Sequence, residues 1–175
     1  DRGQYVADPE FGTLPVEYLI SKEYGEKRAS LIDMERALVE VSPFEATMDD
    51  PLEHGDTVYF TVVDKDRNAI SMIESIFSAF GSTVVPGDVG FAMQNRASGF
   101  SMEPGHLNEI GPRKRSLHTN MPGMVTKDGV PWLSYGVMGG NMQPQGHSQV
   151  LSNIIDFGMN LQEAGDSARF RHSPD

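Results

Sequence analysis

An α+β fold of layered sheet and helix is what this chain predicts, and three features predict it: a β-branched and aromatic hairpin in the middle, two further short strands joined by a tight turn, and helices that follow the strands without alternating with them. At 175 residues, with 18 Gly and 11 Pro, the chain has material for one core and many turns. Fourteen Lys plus Arg against twenty-five Asp plus Glu leave a formal charge of −11. That balance repels a phosphate backbone, and the single basic cluster, Arg113, Lys114 and Arg115, does not offset it, so no nucleic-acid partner is expected. No stretch approaches the roughly 18 apolar residues of a membrane span, and no membrane partner is expected either. There is no cysteine, which excludes disulfides, thiolate nucleophiles and cysteine-ligated zinc and leaves the compartment open. The chain opens on Asp1 and reads as a processed product or a fragment.

The elements follow in order. Pro15 suits a first helical turn ahead of a helix over 16–24, with Gly25 as its stop; a second helix is expected over 27–39. From Ser42 to Asp56 prolines, a glycine and carboxylates break both periodicities, which predicts a long loop of the kind that carries function. At Thr57 the run TVYFTVVD begins a strand, Lys65 to Arg67 turn the chain, and NAISMIESIF returns as its partner. If Asp64 faces Asn68, Thr57 stands opposite Ser75, and two hydroxyls share one end and one face of the hairpin. Short strands are expected at 90–94, 123–126 and 132–137, with Lys127, Asp128 and Gly129 as the last turn. A helix over 146–157 ends at Gly158, and Asn160 with Glu163 signals the cap of a final helix.

Without cysteine, hydroxyls are the nucleophiles to consider, and each needs a base. Five histidines are candidates: His54, His106, His118, His147 and His172. None has metal-pair spacing, and neither a metal nor a cofactor is called for by any motif. Two features stand out. Thr57 opens a strand at the end of a long loop, and Gly139–Gly140 ends the run Gly136, Val137, Met138, where paired glycines free backbone N–H groups to face an anion. Taken singly, a Thr opening a strand is a β-former and paired glycines are a turn.

Five blocks in order, TVYFTVVDKDRNAIS, PGDVGFAMQNRASGF, GPRKRSLHTNMPGMV, GVMGG and IIDFGMNLQEAGDSARFRH, resemble the small-subunit portion of the gamma-glutamyltranspeptidase family, and residues 15–56 resemble the end of its large subunit. The resemblance implies an N-terminal nucleophile hydrolase with an αββα sandwich, whole or incomplete in this chain. It divides the chain into residues 1–56, the large-subunit tail with its processing loop, and 57–175, the catalytic portion. It also implies self-cleavage between Asp56 and Thr57. The freed α-amino group, with a reference pKa of about 7.7–8.0, would then be the base for its own hydroxyl.

By the same resemblance Ser75 is the second hydroxyl and Gly139 with Gly140 form the oxyanion hole, while His118 and Thr119 occupy the positions of a serine pair that binds substrate. Three positions depart from the pattern. Phe77 stands where the family has an Asn, Arg96 where it has a Gln, and Gly99 where an Asp contacts the substrate amine. Arg96 is then a candidate for a substrate carboxylate, or a partner for a surface carboxylate. The implied function is hydrolysis of gamma-glutamyl, glutathione-like amides through an acyl-enzyme, with the remainder of the large subunit as partner. The alternatives are a glutaryl-type acylase of the same family and a catalytically silent relative serving as a scaffold.

Overall fold

The computed structural model describes residues 5–38 and 55–172. Within them the chain forms two compact units, one from residues 5–38 and 96–118, the other from 55–95 and 119–172. The division at residue 56 expected from the resemblance concerns cleavage of the chain and is separate from this packing. The loop expected over 42–56 lies outside the described residues up to 54.

In the first unit, α1 (Val16–Leu19) and α2 (Lys22–Ala29) replace the two longer helices expected. Gly25 is inside α2 and stops nothing. The break comes earlier, where the Ser21 hydroxyl accepts the Tyr24 N–H and caps a new helix. α2 ends at Ala29 and does not continue to 39. Beyond it, the Asp33 carboxylate takes the Glu35 N–H at 2.8 Å, a local bond that competes with a helical one. The basic cluster is used internally: the Arg115 guanidinium meets Asp8 at 2.9 Å and the Lys114 ammonium lies over the Phe11 ring. Arg115 holds the Asp8 carboxyl far below the usual carboxylate range through its side chain and its own backbone N–H.

The second unit is built on two hairpins. β1 (Gly55–Val63) pairs antiparallel with β2 (Ala69–Ser78), and β3 (Gly123–Lys127) with β4 (Val130–Tyr135). The Asp64 carboxylate takes the N–H groups of Asp66 and Asn68, so Asp64 faces Asn68 and the register runs unbroken from Val63–Ala69 to Thr57–Ser75. There it shifts: Asp56 pairs with Phe77, and Ile76 is the extra residue of a bulge. The strand therefore begins at Gly55, two residues before the expected start. In the second hairpin Asp128 and Gly129 both take positive φ, the requirement of a two-residue type I′ turn.

Hydroxyl groups dock the hairpins on one another. The Tyr59 hydroxyl lies 2.6 Å from the Ser134 hydroxyl, the Thr61 hydroxyl donates to Ser134 at 3.0 Å, and the Ser71 hydroxyl donates to the Gly123 carbonyl at 2.8 Å. The opposite face of β1–β2 carries Val58, Phe60, Val62, Ile70 and Met72, all exposed. No strand forms at 90–94. Met93 makes one backbone bond to Ser82 and one to Val84, and Pro86 with the positive-φ glycines Gly87 and Gly90 prevents a longer ladder.

Two helices follow. α3 (Met142–Ile155) begins four residues before the expected start, and Gly158 follows it at φ +68°. α4 (Leu161–Asp166) has the expected capping box between Asn160 and Glu163.

Candidate active site

β1 and β2 put Thr57 and Ser75 directly opposite one another, and the pleat turns both side chains to the face that carries Tyr59 and Ser71. The Thr57 hydroxyl donates to the Ser75 hydroxyl at 2.9 Å. Ser75 also accepts the Phe77 N–H at 3.0 Å, so the bulge and the hydroxyl pair share one acceptor. Phe77 has φ +79°, a conformation that costs a bulky residue about 1–3 kcal/mol. An open cleft of about 540 Å³ is lined by Thr57, Val58, Glu74, Ser75 and Ile76.

The glycine turn is tied to the same strand through Tyr59. A Cβ on Gly136 would lie 2.3 Å from the Tyr59 ring, so only glycine lets this strand end approach β1 so closely. Gly139 and Gly140 take φ of +106° and +54° and lead into α3. Their carbonyls accept the N–H groups of Met142 and Gln143, while among the described residues neither glycine N–H is engaged with the chain. Two unengaged N–H groups beside the positive end of a helix suit an anion.

Thr119 is buried in this unit, two residues before Met121, whose N–H donates to the Gln143 side chain at 2.9 Å. Arg96 and His118 belong to the other unit. Arg96 is 2% exposed, in the short 3-10 helix Arg96–Gly99. Desolvation by surrounding chain, then the Arg96 and Arg115 charges, push His118 below its ordinary value.

Sequence reasoning named His147 only as one of five candidate bases and gave no role to the glutamines of the run QPQGHSQ at the start of α3. Gln143 holds Met121, and His147 Nε2 accepts the Val137 N–H at 3.3 Å. Gln145 and Gln149 bracket the backbone of His172 and Phe170, each accepting one N–H and donating to one carbonyl. The signal was present as a density of amide side chains with no apolar role in a helix.

Residues 1–174 match the family model described as gamma-glutamyltranspeptidase. The chain is 39% identical over 170 residues to the glutathione hydrolase-like YwrD proenzyme of Bacillus subtilis, covering 97% of this chain and 31% of that protein. It is 34% identical over 184 residues to the glutathione hydrolase proenzyme of Escherichia coli, covering 98% of this chain and 31% of the relative. Among solved structures, cephalosporin acylase from Bacillus halodurans superposes with a TM-score of 0.82 at 41% identity, over 98% of this chain and 30% of that one. The chain thus spans about a third of the length of these relatives, and its mixed helices and hairpins are part of an N-terminal nucleophile hydrolase fold. By sequence along nearly its whole length and by superposition, this chain belongs to the gamma-glutamyltranspeptidase family.

Proposed function

We propose that residues 57–175 carry the catalytic portion of an autoprocessing threonine amidohydrolase, that residues 1–56 end its large subunit, and that the substrates are gamma-glutamyl amides such as glutathione. The observation that carries this reading is the Thr57–Ser75 hydroxyl pair, set at the point where the β1–β2 register shifts across the Asp56–Thr57 bond. Thr57 Oγ1 attacks the Asp56 carbonyl carbon, the C–N bond breaks, and the departing nitrogen takes a proton and becomes the α-amino group of Thr57. Water then hydrolyses the ester left on Oγ1. In turnover the free amine accepts the hydroxyl proton, Oγ1 takes the substrate acyl group, the leaving amine is protonated, and a second water releases the acid.

Gly139 and Gly140 face the tetrahedral oxyanion in this scheme, a contribution of about 3–4 kcal/mol per donor. Thr119 is the candidate in this unit for contact with the acyl group; in the other unit the family resemblance makes His118 and Arg96 candidates for substrate, and the Arg96 guanidinium suits a carboxylate. The exposed apolar face of β1–β2 supports a partner in the remainder of the large subunit. Water is the favoured acceptor, because the carboxylate that would hold a substrate amine is replaced by Gly99. The same departure, with Phe77 in place of an amide, favours a second reading as an acylase for glutaryl-type amides.

Intact-mass measurement on purified protein tests the first step. Scission between Asp56 and Thr57 is expected, and Thr57→Ala is expected to abolish it. A folded, uncut protein without turnover of gamma-glutamyl-p-nitroanilide would leave the family fold serving as a scaffold.

A further inference from the structure

The glycine turn is gripped from two sides. Below it the Tyr59 ring lies against Gly136. Above it a Cβ on Gly146 of α3 would lie 2.7 Å from the Val137 side chain, so helix and strand meet at a second glycine. At that contact the backbone polarity of Val137 is satisfied by a side chain: its N–H donates to His147 Nε2 at 3.3 Å. One turn earlier on the same helix, Gln143, 1% exposed, accepts the Met121 N–H at 2.9 Å. Residues four apart share a helix face, so one face of α3 holds both the strand entering the oxyanion turn and the segment that carries Thr119.

We infer that His147 and Gln143 are positioning residues that fix the oxyanion turn and the Thr119 segment to α3, and that His147 does so only as the neutral imidazole. The inference rests on the proposed amidohydrolase reading for its catalytic consequence, though not for its structural one. An imidazolium has no acceptor lone pair, so protonation turns the Val137 bond into an opposition of two donors. Burial disfavours the charged form and moves the group below its ordinary value of about 6.5. The titratable group that faces it is Tyr135 of β4, with ring centroids 4.7 Å apart, and burial raises that phenol, which stays neutral throughout the relevant range.

The test has a structural and a kinetic arm. In uncleavable Thr57→Ala protein, hydrogen exchange of the Val137 amide is expected to rise at least tenfold in His147→Leu at neutral pH. His147→Gln, which offers an acceptor near Nε2 and does not ionise, is expected to restore part of the protection. Gln143→Met is expected to raise exchange of the Met121 amide and to leave the Val137 amide protected. In active protein, kcat of His147→Leu is expected to fall about 10- to 100-fold with KM within about twofold, the size of a misplaced but intact donor set.

The pH profile then separates anchoring from mere packing. Protonation of the Thr57 amine alone gives log kcat a slope of 1 below about pH 7.7. Wild type is expected to steepen toward 2 below the His147 transition, while His147→Gln keeps a slope of 1. Unchanged exchange of the Val137 amide in His147→Leu, or the same steepening in both proteins, overturns the inference. Absence of scission and turnover in wild type would instead overturn the proposed function, with the exchange arm still deciding the anchor.

Discussion

Replacing Gly136 by Ala probes the link between β1 and the Gly139–Gly140 turn. The added Cβ would stand 2.3 Å from Tyr59 Cδ2, 2.7 Å from Cγ and 2.9 Å from Cε2, where ordinary contact begins at 3.4 Å. The strand end or the ring must therefore give by about 1 Å. The ring is not free to swing, because its hydroxyl is held by Ser134 at 2.6 Å and Ser71 at 3.1 Å. Overpacking of this kind costs about 1–3 kcal/mol of stability, and a displacement of about 1 Å costs roughly 100-fold in rate. Glycine-to-alanine substitution elsewhere in a chain can stabilise by restricting the unfolded state, so the sign of the effect is itself informative. Chemical denaturation of Gly136→Ala, Tyr59→Ala and the double variant, together with kcat on gamma-glutamyl-p-nitroanilide, checks the mechanism. The alanine cost should shrink once the ring is gone, giving a coupling of about 1 kcal/mol or more. Additive losses would mean that the Tyr59 contact is not what the glycine serves.

Four further outcomes are expected. Ser75→Ala removes the acceptor of both the Thr57 hydroxyl and the Phe77 N–H, so a slower approach to scission by intact mass and a loss of about 1–2 kcal/mol in urea are expected, with Ser75→Thr recovering part of each. Phe77→Gly should stabilise the bulge relative to Phe77→Ala, since φ +79° is strained for any side chain, and equal urea midpoints would argue against that strain. Asp8 binds a proton less readily folded than unfolded, so its contribution is complete above about pH 3.9 and is lost as the pH falls through its depressed folded value; Asp8→Asn should lose less stability than wild type between pH 5 and pH 2. Arg96→Gln should raise KM for a glutaryl amide about tenfold and leave an uncharged acyl amide nearly unaffected, a difference that equal effects on both substrates would remove.

Which parts of this molecule could be read from residues depends on where each interaction is encoded. The hairpin register followed from one local condition, that Asp64 faces Asn68, which the Asp64 carboxylate meets by capping its own turn, and period-2 geometry carried it seven residues to Thr57 and Ser75. The capping box at Asn160 and the Asp128–Gly129 turn are local in the same sense. The bulge at Ile76 is not, because the extra residue is accommodated by the Ser75 hydroxyl and an unusual Phe77 φ that nothing in the sequence announces. The strand expected at 90–94 failed for the complementary reason: its composition suits a strand, but two residues after its partner Val84 stands Pro86, which has no N–H to extend a ladder.

Helix α3 shows how a site can override local preference. The helix was expected from Gly146 onward, and the observed one takes in Pro144 and carries Gly146 in its interior. Pro144 is third in the helix, where its missing N–H has no intrahelical acceptor to lose. Gly146 costs about 1 kcal/mol relative to alanine in a helix interior. An alanine there would meet Val137 at 2.7 Å and push α3 off the strand, lengthening the 3.3 Å bond from Val137 to His147. The residue that suits the helix interior least, Gly146, is thus the one that lets α3 approach Val137 and the glycine turn that follows it. Gly146→Ala should on this argument raise the intrinsic helicity of a peptide spanning 142–155 and lower the stability of the folded protein. An alanine variant more stable than wild type would mean that the helix has room to spare and that His147 is not held where this account requires.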